Sequence, residues 1–449
     1  MSELPRGWKF VPLAHVCDVN PRDSGPGDHS TAVSFVPMPA VSDTEGIILP
    51  HDTKPFTSVA KGYTRFREQD VIFAKITPCM ENGKIAIAAG LHGGFACGST
   101  EFHVLRSSQA ILPSYLWRFV RQESFRRDAE RHMTGAVGQR RVPAQYIKDA
   151  IIPLAPVLEQ RRIVAKVDKL FECSKSASAE LARVPGLVER YKLAVLAAAF
   201  RGDATANWRT AHPTVRSNSL IEKATGVHRK REGGSTSTES SKVVSLPQTW
   251  RAAPVESIGE VILGRQRSPE NHSGPNMRPY VRAANITWDG WDLSDVKKMN
   301  FDKRDFERFK LQRGDVLINE GSGSADEVGK PAIWNGEVKN CCFQNTLIAV
   351  RPHATIPEYL YFVLLHAALS KAFVDEARGV NIHHIGRAGL AQFVIPVPPS
   401  EEQQEIVRRI KAAFRAIDKI MAETSRAAQL LDRLDQAALA KAFRGELQV

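Results

Sequence analysis

Two stretches of this chain repeat one another at a fixed distance. Ile152-Pro153-Leu154-Ala155-Pro156 precedes Glu159-Gln160-Arg161-Arg162-Ile163-Val164, and Ile395-Pro396-Val397-Pro398-Pro399 precedes Glu402-Gln403-Gln404-Glu405-Ile406-Val407. Pro153 and Pro396 are 243 positions apart, as are Gln160 and Gln403. The closing tetrapeptides Ala199-Phe200-Arg201-Gly202 and Ala442-Phe443-Arg444-Gly445 keep the same 243 offset. A gapless offset sustained over such a length marks an internal repeat, and it sets the plan of the fold. Upstream the register slips slightly. Leu4-Pro5-Arg6-Gly7-Trp8 answers Leu246-Pro247-Gln248-Thr249-Trp250, and Asp70-Val71-Ile72-Phe73 answers Asp315-Val316-Leu317-Ile318. Gly83-Lys84 falls near Gly329-Lys330, and Gly135 near Gly379. Between these anchors the halves differ, so one scaffold carries two different surfaces.

The regular segment of each half reads as a long helix. Ile163, Val167, Leu170, Ser174, Ala177, Leu181, Val184, Val188, Tyr191, Val195 and Ala198 recur at alternating spacings of four and three. The second copy gives Ile406, Ile410, Ala413, Ile417, Ile420, Thr424, Ala427, Leu431, Leu434, Ala438 and Lys441. These are heptad seams, which bury one stripe against a partner helix. Ser400-Glu401-Glu402-Gln403 has the pattern of a capping box at the second start. Pro185-Gly186 predicts a kink in the first helix, because proline lacks the backbone donor and clashes one turn back. A helix of this kind rises about 60 Å at 1.5 Å per residue. The rods either pair antiparallel or pack each on its own domain, and the matching length and phase favour the pair. The predicted organisation is an α+β globular region over 1–155, a helix over 156–202 and a polar linker over 203–245. A second globular region follows over 246–398, then a second helix over 399–445.

At 449 residues the chain suggests two to three domains, and 43% hydrophobic with 24% charged residues is the balance of a globular protein. No apolar run approaches the roughly 20 residues that cross a bilayer, and the first residues lack a signal-peptide pattern, so a cytoplasmic location is expected. The six cysteines form no Cys-x-x-Cys, and the adjacent Cys341-Cys342 suit a shared tetrahedral metal poorly, so reduced, partly buried thiols are expected. A net charge of +12 fits a polyanionic partner without requiring one.

Two variable regions, each followed by a similar long helix, resemble the specificity subunits of type I restriction-modification systems. The Ile-Pro-x-x-Pro…Glu-Gln openings at Ile152 and Ile395, the Ala-Phe-Arg-Gly closures and the Leu-Pro-x-x-Trp starts at Leu4 and Leu246 carry that resemblance. It implies two target-recognition domains, each reading half of a bipartite, asymmetric site in double-stranded DNA. It implies an antiparallel coiled coil that sets the unread spacer and docks two methyltransferase subunits, with restriction subunits joining later. It also implies that S-adenosylmethionine and ATP belong to those partners and that this chain holds no cofactor. On the rods, Ile163, Val167, Leu170, Leu181, Val188, Ile406, Ile410, Ile417, Leu431 and Leu434 are the expected pairing residues.

Enzyme motifs are weak. Gly321-Ser322-Gly323 hints at a Gly-x-Gly-x-x-Gly loop, but Asp326 stands where the last glycine belongs. The spacing from Gly323 to Gly329-Lys330 is one residue too long for a P-loop, and Pro331 replaces its Ser or Thr. There is no Gly-x-Ser-x-Gly elbow and no Asn-Pro-Pro-aromatic or Asp-Pro-Pro-aromatic tetrapeptide. His383-His384 lacks a second ligand cluster, so no zinc site is expected. Two candidate DNA surfaces remain. One comprises Gln139, Arg140 and Arg141, with Asn381, His383 and His384 in the second half, because Arg pairs with guanine and Asn or Gln with adenine. The other follows the Asp-hydrophobic strand: Lys75, Thr77 and Lys84 in the first half, and Asn319, Ser322 and Lys330 in the second. Trp288, Trp291 and Trp334 are expected in the core. The rivals are a solo enzyme with its own cofactor site and a coiled-coil scaffold that binds protein alone.

Overall fold

Asp70 and Asp315 mark the hinge of the matching plans: each is buried at the start of a hydrophobic run that forms a strand, Val71–Ala74 and Val316–Asn319. The computed structural model describes residues 4–28, 30–136, 138–215, 246–322, 327–373 and 383–447, and for Ser322 and His383 the backbone alone. The basic stretch Arg229-Lys230-Arg231 and its polar neighbours, expected as a tether, lie outside the described residues, as do Gly379 and Asn381. The chain divides into two compact units, Met1–Ala182 with Thr424–Val449, and Arg183–Glu423. No helix among the described residues is long and apolar enough to cross a membrane.

The first unit holds two four-stranded sheets. One is fully antiparallel, in the order Cys17–Val19, Phe102–Ser107, Val71–Ala74, Ile85–Ile87. The other runs Asp52–Pro55, Ala32–Val36, Phe95–Gly98, Thr64–Arg67, with its central pair parallel. Lys9–Pro12 and Ile151–Leu154 form a separate two-stranded ribbon. The second unit repeats the scheme. Gly259–Leu263, Leu347–Pro352, Val316–Asn319 and Pro331–Ile333 form the antiparallel sheet. Lys297–Asn300, Met277–Val281 and Cys342–Phe343 form a sheet that again contains one parallel pair, and Arg251–Pro254 pairs with Val394–Val397.

Buried polar groups hold both units alike. Arg106 donates Nε and Nη2 to Asp70 at 2.8 and 2.7 Å, and Arg351 does so to Asp315 at 2.9 and 3.0 Å. Each aspartate also caps the turn before its strand, accepting from Arg67 N or Gln312 N at 2.8 Å. Gln160 accepts from Leu112 N and donates to the Ala110 and Ala155 carbonyls, while Gln403 accepts from Ile356 N and donates to the Pro398 carbonyl. Buried amides and carboxylates such as these are tolerated because they are hydrogen-bonded. The expected capping box is not formed: Gln403 spends its side chain on Thr355, Ile356 and Pro398, leaving nothing to return to the helix start.

The helices are Val157–Leu181, Val184–Arg201 and Ser400–Arg444. The first rod breaks at Ala182 and Arg183, and Pro185 sits in the first turn of the next helix, where its missing donor costs nothing. In the first unit Ile163 and Val167 share a core with Leu439, Ala442 and Phe443, so the start of one helix meets the end of the other. In the second unit Leu196, Ala199 and Phe200 share a core with Ile406, Val407 and Ile410. Both pairings are antiparallel. Val188 and Ile417 are buried, and Leu170, Leu181 and Leu431 half-buried. Leu434 departs from the predicted seam, being 56% exposed, as do Tyr191 and Ile420. A straight helix of 3.6 residues per turn drifts off a seven-residue repeat, and the buried row moves to Ala438, Leu439, Ala442 and Phe443.

Two further expectations are settled by packing. Trp334 is buried and Trp291 packs edge-on to it at 5.2 Å, but Trp288 is 39% exposed. It sits in the turn of the Ile286–Thr287 and Gly290–Trp291 hairpin. Cys17, Cys97, Cys341 and Cys342 are buried free thiols, and burial pushes Cys341 and Cys342 up to about 12.

Candidate nucleic-acid interface

In the first unit the Val71–Ala74 strand runs on into Lys75, Ile76 and Thr77, and the chain returns beside it through Gln139, Arg140 and Arg141. Main-chain bonds join the two segments. Arg141 bridges Ile76, Thr77 N donates to the Arg140 carbonyl at 3.0 Å, and Val142 N donates to the Lys75 carbonyl at 2.8 Å. In the second unit Gly321–Ser322 pairs with His383–His384, and Ile385 N donates to the Glu320 carbonyl at 3.0 Å. The two candidate surfaces are therefore one surface in each unit.

Within it the side chains divide by what already occupies them. Arg141 donates through Nε and Nη2 to Glu101, at 2.9 and 2.8 Å, and through Nη1 to the Gln139 carbonyl at 2.9 Å. That clasp holds the Glu101 carboxyl below its ordinary range, chiefly through the hydrogen bond, and stiffens the loop. Gln139 is exposed, and Arg140 lies 3.8 Å from Glu130, too loose to immobilise it. Thr77 donates its hydroxyl to Glu81 at 2.5 Å. Lys75 lines an open cleft of about 540 Å³ with Asn20, Arg22, Tyr63, Arg65 and Thr100. No hydrogen bond or ion pair takes its ammonium among the described residues.

Behind Lys75 stands His103, buried, with Nε2 2.8 Å from the Val142 carbonyl and Nδ1 3.0 Å from Asn20 Nδ2. A carbonyl only accepts, so Nε2 carries the proton. Burial, and to a lesser degree the Lys75 charge, holds the imidazole below its usual value, against the pull of the Val142 bond.

Three predicted contact residues prove to be structural. Lys84 donates its ammonium to the Val41 carbonyl at 2.6 Å. Lys330 is 7% exposed and ion-paired with Glu327. Asn319 is 3% exposed and donates to the Glu327 carbonyl at 3.3 Å. A group so engaged is not available to a ligand without breaking the fold, and these three leave the candidate set. His384 remains at the surface, with Nε2 3.2 Å from Glu320 Oε1.

Sequence reasoning passed over Glu101 and Glu320. The signal was present: the Asp70/Asp315 and Arg106/Arg351 pairs share an offset of 245, which sets Lys75 against Glu320 and Glu101 against Thr346. The structure bears that register out, since Lys75 N donates to the Glu101 carbonyl and Glu320 N to the Thr346 carbonyl, both at 2.9 Å. No group of three or more His, Cys, Asp or Glu among the described residues is arranged to hold a metal. Cations, amides and a carboxylate at the ends of rigid strands are equipped to bond base edges and phosphates.

Residues 247–428 match the family model described as the type I restriction modification DNA specificity domain. The chain is 26% identical to the type I restriction enzyme EcoAI specificity subunit of Escherichia coli, over 97% of this chain and 83% of that one. It is 25% identical to the EcoKI specificity subunit of Escherichia coli strain K12, over 99% and 90% of the two chains. Among solved structures it superposes on the HsdS subunit from Thermoanaerobacter tengcongensis with a TM-score of 0.63 and 25% identity, covering 99% of this chain and 98% of that one. Over nearly its whole length the chain is similar to specificity subunits of type I restriction-modification systems.

Proposed function

We propose that this chain selects the DNA sequence on which a type I restriction-modification complex acts. Each unit reads one half of a bipartite, asymmetric site in double-stranded DNA, and the long helices set the unread gap. Two methyltransferase subunits and the restriction subunits assemble on it, in the cytoplasm. They carry catalysis, S-adenosylmethionine and ATP, and this chain holds no cofactor of its own. The observation that carries the reading is one framework bearing unlike loops. The Asp70–Arg106 and Asp315–Arg351 clasps coincide bond for bond, while Lys75 in one unit stands at the position that Glu320 takes in the other. Identical supports with different tips are what an asymmetric half-site pair requires.

Docking of two like partners is supported by features that are duplicated rather than varied. Leu187 and Tyr191 are 53% and 56% exposed one turn apart, and Leu430 and Leu434, 243 positions on, are 53% and 56% exposed. Each unit also has an apolar groove built on the same frame. Phe443, Arg444 and Ile151 line one of about 710 Å³, and Phe200, Arg201 and Val394 line one of about 620 Å³. The test is to express the chain with its methyltransferase partner in a methylation-free host and map modified bases across the genome. One bipartite motif with a fixed gap is the expected result. No new methylation from a complex that nonetheless assembles would instead leave a scaffold that binds protein alone.

A further inference from the structure

The residue that follows the central strand sits at the same main-chain position in both units, yet it is Lys75 in one and Glu320 in the other. Its place is fixed from both sides: by the amide bond to residue 101 or 346, and by the return strand at Arg141 or His384. The backbone is shared and the charge is reversed. A framework requirement does not produce that pattern, because a structural ion pair would need a reversed partner. Among the described residues Lys75 has no such partner at ion-pair distance, and Glu320 has the half-exposed His384 imidazole at 3.2 Å. Arg141 clasps Glu101 and leaves Lys75 unpaired among the described residues, whereas Glu320 is 19% exposed and leans on His384.

We infer that Lys75 and Glu320 are the equivalent base-reading residues of the two units, with Lys75 selecting guanine and Glu320 selecting a base that presents an exocyclic amine. The inference rests on the DNA-reading function proposed above. An ammonium only donates, and guanine alone shows two acceptors, O6 and N7, in the major groove. A carboxylate only accepts, and cytosine N4 or adenine N6 is the donor it can meet there. For Glu320 the argument is sharper, because a phosphate contact is excluded by like charge. Facing a polyanion, a carboxylate gains from a base amine that donates to it and is repelled by phosphate. The cleft beside Lys75, with Arg22 exposed on its rim, lets phosphate contacts fall to neighbours while the ammonium reaches inward.

The experiment is modified-base mapping with the complete methyltransferase complex carrying Lys75→Gln or Glu320→Gln, beside the wild type. Each variant should lose preference for one base by about tenfold or more, in its own half-site only. Lys75→Arg should restore the guanine. Circular dichroism of each purified complex checks that the fold is kept, and Glu320→Asp provides a second variant that retains the carboxylate. Unchanged motif letters in both variants, or a uniform fall in methylation with the letters kept, overturns the inference. A wild-type complex that yields no motif at all would instead remove the functional reading beneath it.

Discussion

Arg106 grips Asp70 with two parallel bonds of 2.8 and 2.7 Å, and the carboxylate so held is 2% exposed. One acid thereby ties together the turn before the central strand and the strand beside it. Asp70→Asn removes the charge from this clasp, leaving Arg106 its 3.2 Å contact with Asp23, and costs about 3 kcal/mol, as weakening a buried pair does. Asp315→Asn costs a similar amount in the other unit. Hydrogen exchange on the full chain should show loss of protection confined to the sheet that holds the substitution. Equal loss in both units, or none, contradicts the assignment.

Phe443 packs 4.7 Å from Tyr115 and 5.4 Å from Phe119, centroid to centroid, and Phe200 packs 5.7 Å from Tyr359. Phe443→Ala removes a buried ring and should cost about 3–4 kcal/mol. The damage belongs to the first unit, far from residue 443 in the chain. Limited proteolysis should open 113–131 first, and Phe200→Ala should spare that segment.

His103 gives the first unit a pH dependence of known sign. Its folded value lies below the ordinary 6.5, mainly through burial, so the unfolded chain binds the extra proton. The stabilisation is complete above 6.5 and is lost as pH falls from there through the folded value. Melting temperature should fall between neutral and mildly acidic pH, and His103→Gln should flatten that slope. An unaltered slope refutes the role.

Occupied and unoccupied cations should separate in salt titrations of DNA binding. Arg140→Ala should weaken binding and lower the salt slope by about one, the signature of a lost phosphate contact. Lys84→Ala should leave the slope unchanged, because its ammonium is already spent on the Val41 carbonyl. A matching fall in both variants would return Lys84 to the interface.

The exposed pairs on the helices predict stoichiometry. Serine at Leu187 and Tyr191 should leave the stability of the chain within about 0.5 kcal/mol of wild type, as exposed substitutions do. The complex should then retain one methyltransferase copy instead of two, read by native mass spectrometry. Serine at Leu430 and Leu434 should do the same. Retention of both copies in each variant removes these pairs from the docking surface.

The repeat makes the architecture legible in the chain itself. The strands after Asp70 and Asp315, the paired helices and the break near Pro185 all follow from periodicity and from proline chemistry. The site is legible only in part. Lys84 and Lys330 read as free cations because a linear sequence does not show that a carbonyl at Val41 or a carboxylate at Glu327 lies in reach. Arg141 reads as a groove contact for the same reason, its partner Glu101 lying 40 residues away. Leu434 satisfies a seven-residue pattern that a straight helix does not keep. Burial and pairing are set by the third dimension, whereas element type is set nearby in the chain.

A ribosome making this chain extrudes the sheets of the first unit long before the residues that close its core. Phe443 and its neighbours belong to that unit, while 183–423 is continuous and complete in itself. The part translated later is thus the part able to mature first. The earlier part waits with an apolar face uncovered until the final helix arrives. During that interval the nascent protein is most in need of chaperones, and truncation late in the gene harms the product of its beginning.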